Sequence, residues 1–290
     1  MPEEAPTVHR SVTGMPRSGS TLLVDILAQD PDTHTMSESE TPQIVAQLAT
    51  TFSGWPAQGR HQQGQLAEKE RRLETVRRAI EGSYSQHEEK YTVDKSRGFP
   101  HIAQQMLEYY ARPRWVCAVR DLRGVMGSCE KRYSMNPELY IVPPEIVSVD
   151  QRMAYWLAPG NLIGNAILGI RTMMLKDKSK KIPLFLRYEI WSCLPELYLE
   201  RARAHLELPE FQHDFDSIEQ TATDPDSAAM SLYPHRTEDG EPRALKPADV
   251  HEWKDHIPEE VMAGLFASPE YGPMMGWYQS NFGWNGDGIV

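Results

Sequence analysis

The sequence predicts an α/β protein with a mostly parallel central sheet flanked by helices, and three observations predict it. Val8 to Thr13 reads as a short strand that runs into a glycine-bounded turn and then into the apolar stretch Leu22 to Leu27, a strand, turn and helix in that order. Trp115-Val-Cys-Ala-Val119 is a continuous apolar run, the pattern of a strand buried on both faces, and it leads into a second helical segment. Ile182 to Tyr188 repeats the pattern with a helix from Cys193 to Leu206 behind it, and repeated strand-then-helix units argue for a parallel sheet.

The remaining elements follow in chain order. From Gln58 to Lys90 the chain is rich in Gln, Glu and Arg, with Leu66, Leu73, Val76 and Ile80 near helical spacing, which predicts an amphipathic helix with a solvated charged face. Tyr91 to Asp94 is a short strand candidate, followed by a helical pattern from about Pro100 to Tyr110. The segment after Val119 is expected to stay helical to about Tyr133. Beyond Phe211 the Pro, Asp, Gly and Ser content rises, so Thr221 to Ala248 reads as a long loop or lid, within an irregular C-terminal region of about 221–290. No internal repeat or low-complexity tract marks a boundary, and residues 1–290 are read as one domain.

Composition excludes several classes. With 290 residues, 40% apolar and 24% charged, the chain can bury a sizeable core, which rules out collagen, a disordered tail and a disulfide-stapled miniprotein. Thirty Lys and Arg against 41 Asp and Glu give a net charge of −11 without a basic block, so no nucleic-acid partner is expected. Three cysteines, Cys117, Cys129 and Cys193, form no C-x-x-C pair and suggest a reducing compartment. The first ten residues lack the charge and apolar run of a signal peptide. Leu162 to Leu175 contains Asn165 and Arg171 and falls short of the ~20 apolar residues that span a bilayer. A cytoplasmic protein with no membrane partner is the expectation.

Gly14-Met-Pro-Arg-Ser-Gly-Ser-Thr21 has the G-x-x-x-x-G spacing of a nucleotide phosphate loop, and it predicts a three-layer fold of the P-loop type. Ser20-Thr21 stands where NTPases carry Lys-Ser or Lys-Thr. The loop still forms an anion cradle from converging backbone N–H groups, the hydroxyls of Ser18, Ser20 and Thr21, and the charge of Arg17. Without the lysine, and without an acidic pair ending a strand to hold magnesium, hydrolysis of ATP or GTP is poorly supported. Arg120 ends a predicted strand, where open α/β sheets bind ligands, and Ser128 follows about two helical turns on. Arg132 shares the helix face of Ser128, and an arginine fork with a hydroxyl suits a terminal phosphate.

Gly14 to Leu23 resembles the 5′-phosphosulfate loop of sulfotransferases that use 3′-phosphoadenosine 5′-phosphosulfate (PAPS), and Val119 to Ser128 resembles their second signature, a strand ending in Arg-Asp with a serine eight residues past the arginine. The tyrosylprotein sulfotransferase branch is most similar: Tyr91 to Lys95, Arg187-Tyr188-Glu189, and Leu245-Lys246-Pro247 with Trp253 and Ile257-Pro258 match it in order. The resemblance implies that PAPS is the sulfuryl donor and 3′-phosphoadenosine 5′-phosphate (PAP) the product. It implies nucleotide contacts from Pro16, Arg17, Ser18, Gly19, Ser20, Thr21, Arg120, Ser128, Arg132, Tyr188, Ser231 and Lys246. Golgi members of that branch carry a membrane anchor and disulfides; here Thr35 and Val93 stand near those cysteine positions. Peptidyl tyrosine is therefore not implied by the resemblance alone, and the expected acceptor is a hydroxyl of a small molecule or of a peptidyl tyrosine.

Sulfuryl transfer needs a cation at the bridging oxygen and a base for the acceptor proton. The resemblance assigns the cation to Lys95, with Arg17 beside the sulfonate, and the base to Glu38. Glu40 is a rival at a different register and His34 a weaker alternative; both carboxylates would also simply charge the start of a helix near Thr41-Pro42. Trp277, Tyr278, Phe282 and Trp284 are read as core or as a subunit contact before an acceptor pocket, which leaves a homodimer open. Ten histidines without an H-E-x-x-H or an i, i+4 pair predict no metal site. A P-loop kinase or NTPase is the alternative, and a binding module without turnover a third reading.

Overall fold

The computed structural model describes residues 8–37, 39–53, 62–84, 87–110, 112–135, 137, 142–177, 183–220 and 242–283. Five strands, β1 (Val8–Gly14), β2 (Thr33–Ser37), β3 (Tyr91–Lys95), β4 (Arg112–Val119) and β5 (Pro183–Arg187), form one sheet in the order β2-β3-β1-β4-β5. Every neighbouring pair is parallel. The chain leaves β1 for β2, returns to β3 beside β1, then crosses to β4 on the other side. The loop after β1 therefore lies where strand order reverses, the crevice in which open α/β sheets take ligands.

Helices cover both faces. α1 (Ser20–Leu27), the single helical turn α8 (Tyr188–Trp191) and α9 (Pro195–His205) lie on one side, with Leu23, Ile26, Trp191 and Leu199 buried against Val12, Val116 and Leu186. On the other side are α2 (Thr41–Ser53), α3 (Gln62–Tyr84), α4 (Ala103–Tyr109), α5 (Leu122–Met135), α6 (Val149–Leu157), α7 (Leu162–Lys176), α10 (Glu259–Ala267) and α11 (Gly272–Phe282). In β4 the period of two sends Trp115, Cys117 and Val119 into this second core and Val116 into the first. This is why the run reads as uniformly apolar.

α7 explains the apolar stretch from Leu162. Ile163, Ala166, Ile167, Ile170 and Met173 are buried at helical spacing while Asn165 and Arg171 are exposed, so the segment is a core helix. Among the described residues no helix is long and apolar enough to cross a membrane.

The structure departs from the sequence reading in several places. β2 is an additional strand; its buried face carries Thr33, Thr35 and Ser37, so no apolar alternation announces it. The charged helix is described over Gln62–Tyr84 and does not reach Lys90, since 87–90 are not helical; 58–61 lie outside the described residues. Cys193 lies outside α9, which Pro195 opens at a position where its missing N–H costs nothing. The C-terminal region is not wholly irregular, since a 3₁₀ turn (Glu252–Asp255), α10 and α11 pack onto the core through Trp253, Met262, Leu265 and Tyr278. Both helices are short and start at prolines, Pro258 capping α10 and Pro273 in the first turn of α11, which gives the segment the composition of a loop. Residues 221–241 lie outside the described residues.

Candidate active site

The strand ends deliver the site. At the end of β1, Gly14 pairs with Ala118 of β4 at a φ of 148°, and a Cβ there would sit 2.0 Å from the Ala118 carbonyl oxygen. The chain then turns: Met15 N–H donates to Ala118 O at 3.0 Å and the buried Ser18 hydroxyl donates to Met15 O at 2.6 Å. Arg17 and Gly19 take left-handed φ values of 61° and 83°, and α1 starts at Ser20. A Cβ on Gly19 would meet the Tyr188 ring at 2.7 Å. The loop is thereby a tight cradle capped by a helix N-terminus, with Pro16, Ser20 and Thr21 buried in its wall.

Arg120 follows the last residue of β4 and is 8% exposed. Its Nη1 donates to Arg17 O at 3.1 Å, and its guanidinium lies 4.9 Å from the centre of the Tyr188 ring. Arg17 Nε donates to Ser128 Oγ at 3.1 Å, so the two signatures are in direct contact through α5. Two carboxylates face the arginine, Glu189 at 3.9 Å and Glu252 at 4.0 Å. Burial raises the Glu189 carboxyl above its ordinary range, against the pull of backbone hydrogen bonds and Arg120. Burial likewise raises the Tyr188 phenol, with Arg120 pulling it down. The Arg120 Nε is buried with no hydrogen-bond partner among the described residues, an orphan donor suited to an incoming anion. Arg132, half-buried one turn beyond Ser128, stands on the same helix.

The far end of α11 clamps this strand end. Tyr278 Oη accepts from Arg120 N at 3.4 Å and donates to Arg120 O at 3.1 Å, while Gln279 Nε2 donates to Asp121 Oδ2 at 2.7 Å. Tyr278 and Phe282 are thus core residues, in keeping with the packing role read from the sequence. Trp277 lies partly buried against that core, and Trp284 is outside the described residues.

Lys95 ends β3 and is 3% exposed. It is in register with Val12 of β1 and Ser37 of β2, and its Nζ lies 3.5 Å from Ser37 Oγ. Glu38 lies outside the described residues. Its neighbours frame the place: Ser37 pairs with Lys95 and the Ser39 N–H donates to Lys95 O at 3.1 Å. Glu40 is exposed at the entry to α2, where its carbonyl accepts from Ile44 N. His34 pairs with Thr92, three residues back along β2 and so ~10 Å from Ser37. Burial lowers its pKa, as does nearby His87, while Glu89 opposes them. Two histidines far apart in sequence meet here, His34 stacked on His87 with ring centres 3.5 Å apart.

Arg17, Gly19, Ser20, Thr21, Arg120 and Tyr188 line one cavity of about 140 Å³. Arg243 lines it too, its Nη2 2.9 Å from Asp25 Oδ2 and its backbone bridged to Ile218. Lys246 is exposed and outside the lining, and Ser231 lies beyond the described residues. Arg243, Glu252 and Gln279 escape sequence reasoning because none stands in a motif, with only the nearness of Arg243 to Leu245-Lys246-Pro247 as a hint; Glu189 stands in the Arg187-Tyr188-Glu189 match, which assigns it no role. A larger cavity of about 570 Å³ opens around α9, lined by Glu200, Arg203, Phe211, His213 and others, and none of the predicted site residues reaches it.

Residues 11–158 match the family model described as Sulfotransferase family. No curated protein matches the chain in sequence. In three dimensions the chain is similar to the sulfotransferase domain of the Synechococcus PCC 7002 olefin synthase, with 14% identity and a TM-score of 0.55 over 100% of this chain and 98% of that one. It is also similar to the sulfotransferase domain from the curacin biosynthetic pathway, with 13% identity and a TM-score of 0.50 over 96% and 98% of the two chains. These likenesses concern the fold. The family match takes in half of the chain, including the phosphate loop, Lys95, Arg120 and Ser128, and the chain belongs to the sulfotransferase family.

Proposed function

We propose that this chain transfers the sulfuryl group of PAPS to a hydroxyl of an acceptor, a small molecule or a peptidyl tyrosine. The observation that carries the reading is the convergence of the loop after β1 and the Arg120 end of β4 on one cavity walled by three guanidinium groups. The donor set fits a nucleotide's phosphates: a glycine cradle that a Cβ would fill, a helix N-terminus, and a buried Arg120 Nε that makes no hydrogen bond among the described residues, with the Glu189 carboxylate 3.9 Å away. When bound, PAPS supplies the group to be transferred and leaves as PAP.

The chain's own residues then have distinct roles. Pro16 to Thr21 hold the 5′ side through backbone N–H groups and hydroxyls, and Arg120, Ser128 and Arg132 hold the 3′-phosphate. Tyr188, Ser231 and Lys246 belong to the nucleotide side, with Arg243 added from the cavity wall. Lys95 would set its Nζ at the bridging oxygen and Arg17 its guanidinium beside the sulfonate, preorganised cations that do not have to move as charge develops. The Glu38 carboxylate takes the acceptor's hydroxyl proton. Side-chain cations supply the charge that magnesium supplies in phosphoryl transfer, so the transfer step is expected to proceed without metal. Likeness to the tyrosylprotein branch keeps peptidyl tyrosine among the acceptors. Residues 1–290 are read as a single domain in a reducing, cytoplasmic setting, in line with three free cysteines.

A thermal-shift series with PAP, ADP, ATP with magnesium, and buffer tests the reading, because a ligand that binds only the folded state raises the Tm. Stabilisation by PAP is the expected result and leads to an acceptor screen with PAPS. Stabilisation by ATP with magnesium and not by PAP would overturn it in favour of a P-loop kinase or NTPase.

A further inference from the structure

His34 on β2, with His87 and Glu89 in the segment between α3 and β3, offers ligand atoms that all lie within 4.8 Å of one another, the one such group of three among the described residues. We propose that His34, His87 and Glu89 form a three-ligand site for a divalent transition-metal ion, zinc foremost, which ties the α3–β3 connection to the edge strand of the sheet. The ligand set selects the ion class: two imidazoles and one carboxylate suit zinc, copper or nickel, whereas magnesium and calcium require oxygen ligands throughout.

The geometry is close to what such an ion needs. Tetrahedral zinc with bonds of about 2.0 to 2.1 Å holds its ligand atoms roughly 3.3 to 3.4 Å apart. His34 Nδ1 and Glu89 Oε1 are already 3.6 Å apart. The two imidazoles lie face to face, 16° from parallel, so coordination turns the His87 ring out of the stack to aim a nitrogen at the shared point. His87 and Glu89 stand between regular elements, where a side-chain rotation meets little resistance.

The backbone brings the three together without help from an ion. The ladder sets His34 opposite Thr92, and Tyr91 N–H donates to Asp32 O at 2.9 Å, which fixes the entry to β3 beside the entry to β2. Glu89 is two residues before that point and His34 two residues after Asp32, so both emerge on the same edge. The site lies at the opposite end of β2 from Ser37 and Lys95, ~10 Å along the strand, which makes it a staple and leaves the transfer chemistry to other groups. Without a metal the same three residues amount to an ion pair with a stacked ring, and the two states are distinguished by measurement.

Untagged full-length protein stripped with EDTA is titrated with ZnCl₂ by calorimetry and with CoCl₂ by visible absorption. One equivalent of zinc and an intense, tetrahedral-type cobalt spectrum are expected. His87→Ala abolishes both, and Glu89→Gln weakens zinc binding by about tenfold or more. Both substitutions fall outside the strands, and unchanged far-UV circular dichroism with an unchanged PAP-induced Tm shift separates loss of the metal from loss of the fold or of the nucleotide site. Absence of a zinc equivalent in the wild-type chain, or equal zinc affinity in wild type, His87→Ala and Glu89→Gln, would overturn the proposal; the latter result would assign the zinc to another group, such as the exposed Cys193.

Discussion

Arg120 and Lys95 are both buried cations at strand ends, yet their surroundings differ, and their removal is expected to fail in different ways. Arg120 is built in on every side, by Tyr188, by the Arg17 carbonyl and by Glu189 and Glu252, with one donor left over. It belongs to ground-state binding. Arg120→Ala is expected to raise the Kd for PAP at least tenfold, consistent with about 1.5 to 3 kcal/mol for a charge-assisted bond, and calorimetry giving equal affinity would refute this. Arg120→Lys is not expected to rescue, since a point charge reproduces neither the fork nor the stacking. In the proposed assignment Lys95 stands where charge develops in the transfer step, so Lys95→Met is expected to lower kcat by about 10² to 10³ while the Kd for PAP stays within about threefold. A parallel loss of binding and turnover would remove Lys95 from the transfer step. Arg17, Lys95 and Arg120 stand out in the sequence because each lies at or just past a strand end within a motif, Lys95 through the family resemblance. Arg243 is not, because it reaches the cavity through a single bridge to Ile218, a contact with no sequence periodicity.

Among the elements, the loop-to-α1 turn owes its shape to one residue type. Gly19 holds a φ of 83° with the Tyr188 and Trp191 rings 2.7 and 2.9 Å from where a Cβ would be. Gly19→Ala is expected to destabilise the chain by about 1 to 3 kcal/mol, through left-handed strain and collision with Tyr188, and to weaken PAP binding as the cradle opens. Gly82 in α3 is the matched control. A Cβ there meets nothing within 4 Å, so Gly82→Ala is expected to be neutral or to stabilise the helix by up to about 1 kcal/mol. Equal Tm changes for the two variants in thermal melts would show that the turn tolerates a side chain. The elements legible in sequence are those whose pattern serves one physical demand, as in β4, buried on both faces, and α3, solvated along one. β2 escapes because its inward face is hydroxyl-bearing, and α10 and α11 escape because their prolines serve as helix starts. The metal-ligand trio escapes for a third reason: parallel pairing of β2 and β3 makes neighbours of residues more than fifty positions apart.

For the molecule as a whole, acidification sets two effects against each other. A net charge of −11 means that taking up protons relieves self-repulsion, which by itself favours the compact state as the pH falls from neutral. Buried histidines act the other way. His9, inside β1 between Phe99 and Tyr110, is pushed down from 6.5 to about 3, first by burial and then by the Arg10 charge. Its folded pKa is depressed, so its contribution is complete above 6.5, where both states are neutral. Below 6.5 the unfolded chain takes a proton that the folded chain refuses, and stability falls until the pH reaches about 3. His34, His101 and His213 are shifted in the same direction, each chiefly by burial. Glu189, raised by burial, has the opposite sign: its contribution is complete below its ordinary value and is lost as the pH rises through the raised one. One proton refused by the fold costs about 1.4 kcal/mol per pH unit, a steeper and more local effect than diffuse surface repulsion, so the histidines are expected to win between pH 6.5 and 5. His9→Leu isolates the term. Leucine removes two buried ring nitrogens that have no hydrogen-bond partner, so stability at pH 7 is expected to hold or rise. Urea unfolding of both proteins at pH 7, 6, 5.5 and 5 should give a dependence for His9→Leu that is shallower by one proton. Identical slopes would mean that His9 takes up its proton inside the fold, and with it that the β1 core admits a charge that its packing is built to exclude.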